Sequence, residues 1–337
     1  MMSPSLFLKR ATPFAIAIGI WFLPIPAGLT PQAWHLFAIF VATIACVLIN
    51  AFPLLTASLI AVAVVVLTQT ITPAQAFSGF ANASVLLVVA AFIAAQGVVK
   101  SGLGRRISLI IVSRFGGSPI GLAYSLVFTD AMIAPAFPSN TARGGVLFPI
   151  VLSIAKGAGS EPDSPEGRRL GGYLMFCSMA GLAVSSALWL TATSCNPIGV
   201  QIAEKSGFEI NFASWFVHSS VPTLSAILVL PWLVSKLFSP GVKETPEAPI
   251  AARKDLSEMG DMSRNEWITA ATFMGMVIGW VFGSSLNVNS TAVAFLGLGV
   301  MLASGVLTLA DISKQGDTLV TFLWLAILFG LSAQLNE

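Results

Sequence analysis

Residues 119–157 read PIGLAYSLVFTDAMIAPAFPSNTARGGVLFPIVLSIAKG. The stretch is apolar and long enough to enter a bilayer and leave it again. Its middle cannot remain regular helix, because Pro135, Pro138, Gly144, Gly145 and Pro149 remove backbone donors or weaken helical preference. An apolar segment interrupted at membrane depth is tolerated only where protein or water covers the freed backbone groups. The pattern predicts a re-entrant helical hairpin over 119–157.

The remainder of the chain fits that reading. Apolar residues make up 55% of the 337 residues and charged residues 9%, against about 25% charged in a typical soluble domain. There is too little polar surface to cover a water-soluble globule. Apolar runs of near-spanning length recur at 12–28, 34–51, 53–70, 84–103, 171–192, 215–238, 267–285, 291–310 and 319–335, where about 20 helical residues cross a hydrocarbon core. Lys9-Arg10 followed by the apolar run from Ala11 could imitate a signal peptide. Pro26-Ala27-Gly28 is a poor cleavage site, so the run is read as the first transmembrane helix.

The positions of the charges set the orientation. With the N-terminus inside and the hairpin returning to its own side, 15 of the 17 Lys and Arg residues fall on the cytoplasmic side. Lys205 lies outside and Arg143 lies within the hairpin. The positive-inside rule asks for this bias. Treating 119–157 as a single crossing would scatter the downstream basic residues. Gly104 to Phe115 mixes Arg105, Arg106 and Arg114 with Ile107, Leu109, Ile110 and Ile111, the signature of an amphipathic helix on the cytoplasmic surface. Val242 to Glu266 is polar, carries both charges and reads as a linker between two halves.

The expected fold is an all-α polytopic membrane protein. It has an N-terminal transmembrane helix over 1–30 and a first repeat over 31–240, which holds the hairpin 119–157 and a broken helix 171–205. A cytoplasmic linker over 241–265 leads to an incomplete second repeat over 266–337. Ala94-Ala95-Gln96 and Ser332-Ala333-Gln334 end spans that run in opposite directions in this topology, as inverted carrier repeats do.

Enzymatic chemistry is not expected. Cys46, Cys177 and Cys195 form no C-x-x-C pair, and His35 and His218 stand far apart near the starts of apolar segments. The clear intramembrane ionisable residues are Asp130 and Arg143. Intramembrane polar residues are costly and mark transport pathways. Ser139, Asn140 and Thr141 sit at the hairpin tip ahead of a short second helix, whose unpaired N–H groups offer a seat to a carboxylate. A second polar break runs from Thr191 through Thr193, Ser194, Cys195 and Asn196 to Pro197. Asn196-Pro197 is expected to end a helix, leaving carbonyls and an amide oxygen suited to Na⁺.

Pro138-Ser139-Asn140-Thr141-Ala142-Arg143-Gly144-Gly145, followed by Pro149-Ile150, resembles the first Ser-Asn-Thr hairpin motif of the divalent anion:sodium symporter family. Ala142-Arg143-Gly144-Gly145 resembles its branch of 2-oxoglutarate/malate, citrate and tartrate carriers, and Thr191 to Pro197 resembles the broken helix after that hairpin. The resemblance covers the whole chain in order. It implies secondary, elevator-like transport of di- or tricarboxylates (2-oxoglutarate, malate, succinate, citrate) across the plasma membrane by a homodimer, with no nucleic-acid partner. It also implies that Ser139, Asn140, Thr141, Arg143, Thr193 and Asn196 bind substrate. Ser139, Asn140, Thr193, Ser194 and Asn196 would line a Na⁺ site in symporting members, with Asp130 beside them. The coupling is either Na⁺ symport or Na⁺-free exchange, in which Arg143 serves as a fixed cation, pairs with Asp130, or neutralises substrate. The alternatives are a related Na⁺/H⁺ or arsenite-type carrier, or a non-transporting remnant.

The chain departs from the family pattern in carrying no second Ser-Asn-Thr. The Gln96 to Gln334 offset of 238 residues places the partner of Asn140 near position 378, past Glu337. The expectation is that these 337 residues alone insert but do not transport.

Overall fold

The computed structural model describes residues 4–137, 139–157, 160, 167–283 and 285–335. These form α-helices and short 3₁₀ turns, with no strand among the described residues. The first helices are α1 (Pro4–Trp21), α2 (Pro31–Leu48), α3 (Leu54–Leu67), α4 (Pro73–Ala76), α5 (Ala83–Ser101), α6 (Leu103–Phe115), α7 (Pro119–Ile133) and α8 (Asn140–Gly157). The rest are α9 (Gly167–Ser185), α10 (Cys195–Lys205), α11 (Phe212–Leu237), α12 (Glu247–Met259), α13 (Arg264–Phe282), α14 (Ser290–Ala303), α15 (Leu309–Ser313) and α16 (Gly316–Leu335). Among the described residues, five stretches, Pro31–Leu48, Ala83–Ser101, Pro119–Ala136, Phe212–Leu237 and Gly316–Leu335, are long and apolar enough to cross a bilayer. The protein is an all-α polytopic membrane protein.

Several helices stop before their apolar run does, and local chemistry explains each case. The run expected as a span over 12–28 is helical only to Trp21, ahead of Pro24 and Pro26. The run over 53–70 stops at Leu67, with Gln69 at φ 55°. The run over 291–310 stops at Ala303, and Gly305 turns the chain at φ 78°. Thr308 then opens α15 with a capping box shared with Asp311, which satisfies donors at both ends of the exchange. Lys100 binds Asp311 at 2.5 Å, and this contact, with that from Thr308, holds the Asp311 carboxyl well below the usual carboxylate range.

The chain forms two compact units. In the unit made by residues 1–89 and 315–337, α2, α3 and α16 share a core of Leu36, Ile39, Val62, Val65, Ile327 and Leu331. The 3₁₀ turn Ser78–Ala81 lies directly against α16. A Cβ on Gly330 would stand 2.5 Å from the Ala76 carbonyl oxygen, and one on Gly79 would strike the Ala326 carbonyl. The two glycines are what allow the turn to approach.

In the unit made by residues 90–314, α9 packs against both arms of the 119–157 segment, α7 and α8, and α11 packs on α7 and α9. The shared core includes Leu122, Leu126, Val151, Tyr173, Leu174 and Val234. Both tyrosines of the chain donate to carbonyls of α11: Tyr173 Oη to Pro231 O at 2.9 Å, and Tyr124 Oη to Leu228 O.

Two sequence expectations need correction here. The stretch 241–265 is not bare linker: it contains α12, which packs against α6 and α8 through buried Ala248 and Ala252. Nor is α6 simply a surface helix, because Leu109 and Val112 are buried in that same core and Arg106 is 7% exposed. Arg106 Nε donates to Glu266 Oε1 at 2.5 Å and its NH2 to Oε2 at 3.2 Å. Its remaining donors reach the carbonyls of Gly260 and Asp261. Glu266, 3% exposed, also accepts from Ser263 N at 2.8 Å in the capping box that starts α13. One guanidinium thus fastens α6 to the loop and cap that begin α13. Replacing Glu266 by Gln leaves a buried cation without its anion, which costs about 3 kcal/mol. The expected result is a clear fall in the thermal unfolding midpoint, with Arg114→Gln as the near-neutral control.

Candidate functional site

The break in the 119–157 segment is built by local chemistry. Pro135 turns the end of α7 into a 3₁₀ turn over Ala134–Ala136, and Phe137 is extended. Pro138 lies outside the described residues. The carbonyl of Ser139 accepts from Arg143 N at 3.1 Å, and α8 begins at Asn140. Ser139 is partly buried, while Asn140 and Thr141 are exposed.

Behind this tip stands Arg143, with its side chain 0% exposed. NH1 donates to Asp130 Oδ2 at 3.1 Å and to Ser185 Oγ at 2.9 Å. NH2 donates to Asn140 Oδ1 at 2.6 Å, Ser186 Oγ at 2.8 Å and Leu182 O at 3.2 Å. Ser185 Oγ also donates to Asp130, 1% exposed, and Ser186 Oγ to Asn140 Oδ1 at 2.6 Å. One planar cation therefore joins the end of α7, the start of α8 and the end of α9. A guanidinium can do this because its donors are fixed in a fork. Asp130 Oδ1 and Arg143 Nε make no hydrogen bond among the described residues.

The second polar segment completes the site. α9 ends at Ser185, turns occupy 186–194, and α10 starts at Cys195. Asn196-Pro197 therefore lies in the first turn of α10 and does not close a helix, as the sequence suggested. Pro is tolerated there because first-turn N–H groups have no intrahelical partner. The break is stitched to the first arm: Trp189 Nε1 donates to Ala131 O at 2.9 Å and Thr191 Oγ1 to Pro135 O at 2.8 Å. Asn196 Nδ2 donates back to Ser186 O at 2.8 Å and Trp189 O at 3.0 Å.

Of the residues proposed from sequence, the structure brings Asn140, Arg143, Asp130 and Asn196 into one network through Ser186, while Thr141, Thr193 and Ser194 retain exposure beside it. The Arg143 side chain is fully buried, and its NH1 and NH2 donors are all directed into this network. Sequence reasoning missed Ser185 and Ser186. The available signal was a pair of adjacent serines at the end of an otherwise apolar helix.

The arrangement can present N–H donors to a small anion from a rigid, internally neutralised frame. A family model described as the sodium:sulfate symporter transmembrane region matches residues 4–337. A putative malate transporter, YflS, of Bacillus subtilis is 40% identical over 325 residues, covering 96% of this chain and 68% of that protein. Dicarboxylate transporter 1, chloroplastic, of Arabidopsis thaliana is 39% identical over 327 residues, covering 96% and 59%. A citrate/succinate antiporter of Escherichia coli K12 is 35% identical over 338 residues, covering 93% and 68%. The chain thus spans about three fifths to two thirds of the length of these relatives.

Proposed function

The chain belongs to the sodium:sulfate symporter family, and from that premise we propose that the protein to which these residues belong carries di- or tricarboxylate anions across the plasma membrane by exchanging one for another. The N-terminus is cytoplasmic, the segment 119–157 is a re-entrant hairpin, and the tip residues Ser139, Asn140 and Thr141 receive a substrate carboxylate. Malate and other small dicarboxylates are the substrate class, in keeping with the names of the relatives. Those names favour this reading over an arsenite or Na⁺/H⁺ carrier. The moving body is the hairpin together with the broken helix, and the assembly is a homodimer.

An inverted repeat is supported by the order of elements. Helices of 18, 14, 4 and 19 residues (α2 to α5) recur as 19, 14, 5 and 20 (α13 to α16). Each short helix opens with a threonine capping box, at Thr72 and at Thr308.

The observation that carries exchange over Na⁺ symport is the engagement of Asn140. Its amide oxygen, the natural ligand for a coupling Na⁺, accepts from Arg143 and Ser186. A permanent guanidinium charge already lies behind the tip. The native protein in proteoliposomes preloaded with unlabelled malate should take up labelled malate in Na⁺-free buffer, about tenfold faster than empty vesicles. Uptake into empty vesicles driven by an inward Na⁺ gradient would overturn exchange in favour of symport.

A further inference from the structure

The two asparagines of the site present opposite chemistry, and the network fixes which way each one faces. Asn140 Oδ1 accepts from Arg143 NH2 and from Ser186 Oγ, both at 2.6 Å. A guanidinium only donates, so the amide cannot be turned over. Its NH₂ is the outward group and makes no hydrogen bond among the described residues. Asn196 is set the other way. Its NH₂ donates to the carbonyls of Ser186 and Trp189, which only accept. Its Oδ1 is therefore the open atom, again without a hydrogen bond among the described residues. Both amides grip the same residue, Ser186, one through its hydroxyl and the other through its carbonyl. The open donor and the open acceptor thus belong to two side chains tied to one residue.

A carboxylate matches the Asn140 donor and cannot match the Asn196 acceptor. An acid made only of carboxylates and methylenes leaves that oxygen without a partner. A site that hydrogen-bonds a substrate hydroxyl rejects the analogue lacking it, because the site's own polar group is then left unpaired. We propose that Asn196 Oδ1 accepts a hydrogen bond from a hydroxyl on the carbon backbone of the carried acid, so that the site selects hydroxydicarboxylates over unsubstituted ones. This rests on the carrier reading above and adds to it a residue that sets specificity.

The experiment is exchange by the native protein in proteoliposomes, measured in parallel with L-malate and with succinate, and repeated for Asn196→Ala. Native protein should show a malate-to-succinate ratio of kcat/KM of about ten, a lost hydrogen bond being of that order. In Asn196→Ala the ratio should fall to about one, whatever loss the two substrates share through disturbance of the break. That shared loss is all a purely structural role would produce. Equal efficiency for both acids in the native protein overturns the inference alone, and this arm needs no variant to fold. An unchanged ratio in Asn196→Ala together with loss of a Na⁺ stimulation also overturns it, assigning the oxygen to a cation. Failure of the native protein to exchange either acid overturns the carrier reading and this inference with it.

Discussion

Replacing Arg143 by Ala should destabilise the protein by about 3–5 kcal/mol, the range for breaking a buried ion pair by removing one partner. The loss would fall hardest on Asp130, which water does not reach. Among the described residues, Asp130, 1% exposed, would keep only Ser185 as a partner, and Asn140 Oδ1 would keep only Ser186. Arg143→Lys should recover part of the stability and little transport. One ammonium can reach Asp130 or the Asn140 and Ser186 pair, but lacks the two-sided fork that now joins them. The double variant Asp130→Leu with Arg143→Met removes both charges and should recover most of the stability. It should not recover uptake, because the Asn140 amide would lose the guanidinium that now fixes it and retain Ser186 alone among the described residues. Thermal unfolding of the purified proteins and malate exchange on the same preparations measure the two effects separately. An Arg143→Ala form as stable as the native protein would show that the network does not hold the hairpin to α9.

The sequence made the break between α7 and α8 legible because proline speaks locally. Pro135 interrupts an apolar run and the backbone responds within a turn, whereas Gly144, Gly145 and Pro149, expected to break the helix as well, lie inside the continuous helix α8. The polar break after α9 was legible as a break but misplaced, since Asn-Pro suits a helix start as well as a helix end. The role of Arg143 was only half visible. Asp130 lies 13 residues away and was a candidate partner, whereas Ser185 and Ser186 lie 42 and 43 residues away. No local pattern reports contacts at that separation. Arg106 misled for the same reason: beside Arg105 on an amphipathic helix it reads as a solvated charge, and its partner Glu266 is 160 residues further on. α12 escaped notice because its buried face is made of alanines, Ala248 and Ala252, which carry little hydrophobic signal while letting two helices approach closely.

Asn140→Asp should have the largest effect on transport. The substitution nearly preserves shape. It also preserves the inward acceptor, so Arg143 and Ser186 keep their bonds and the hairpin keeps its frame. Only the outward group changes, from an N–H donor to a carboxylate oxygen. On the proposed carrier reading a substrate carboxylate would then meet a like charge in place of a donor, and hydrogen bonds to charged groups contribute about 1.5–3 kcal/mol. Loss of that bond alone lowers malate affinity by about 10- to 100-fold, and the repulsion adds to it. Asn140→Ala is less informative, because it also removes the acceptor that Arg143 needs. The direct measurement is therefore calorimetric titration of L-malate into the native protein and the Asn140→Asp form, with thermal unfolding recorded for both. The account predicts similar unfolding midpoints and malate binding reduced at least about 100-fold in the variant. Native-like malate binding by Asn140→Asp would contradict it and remove the hairpin tip from the substrate's path.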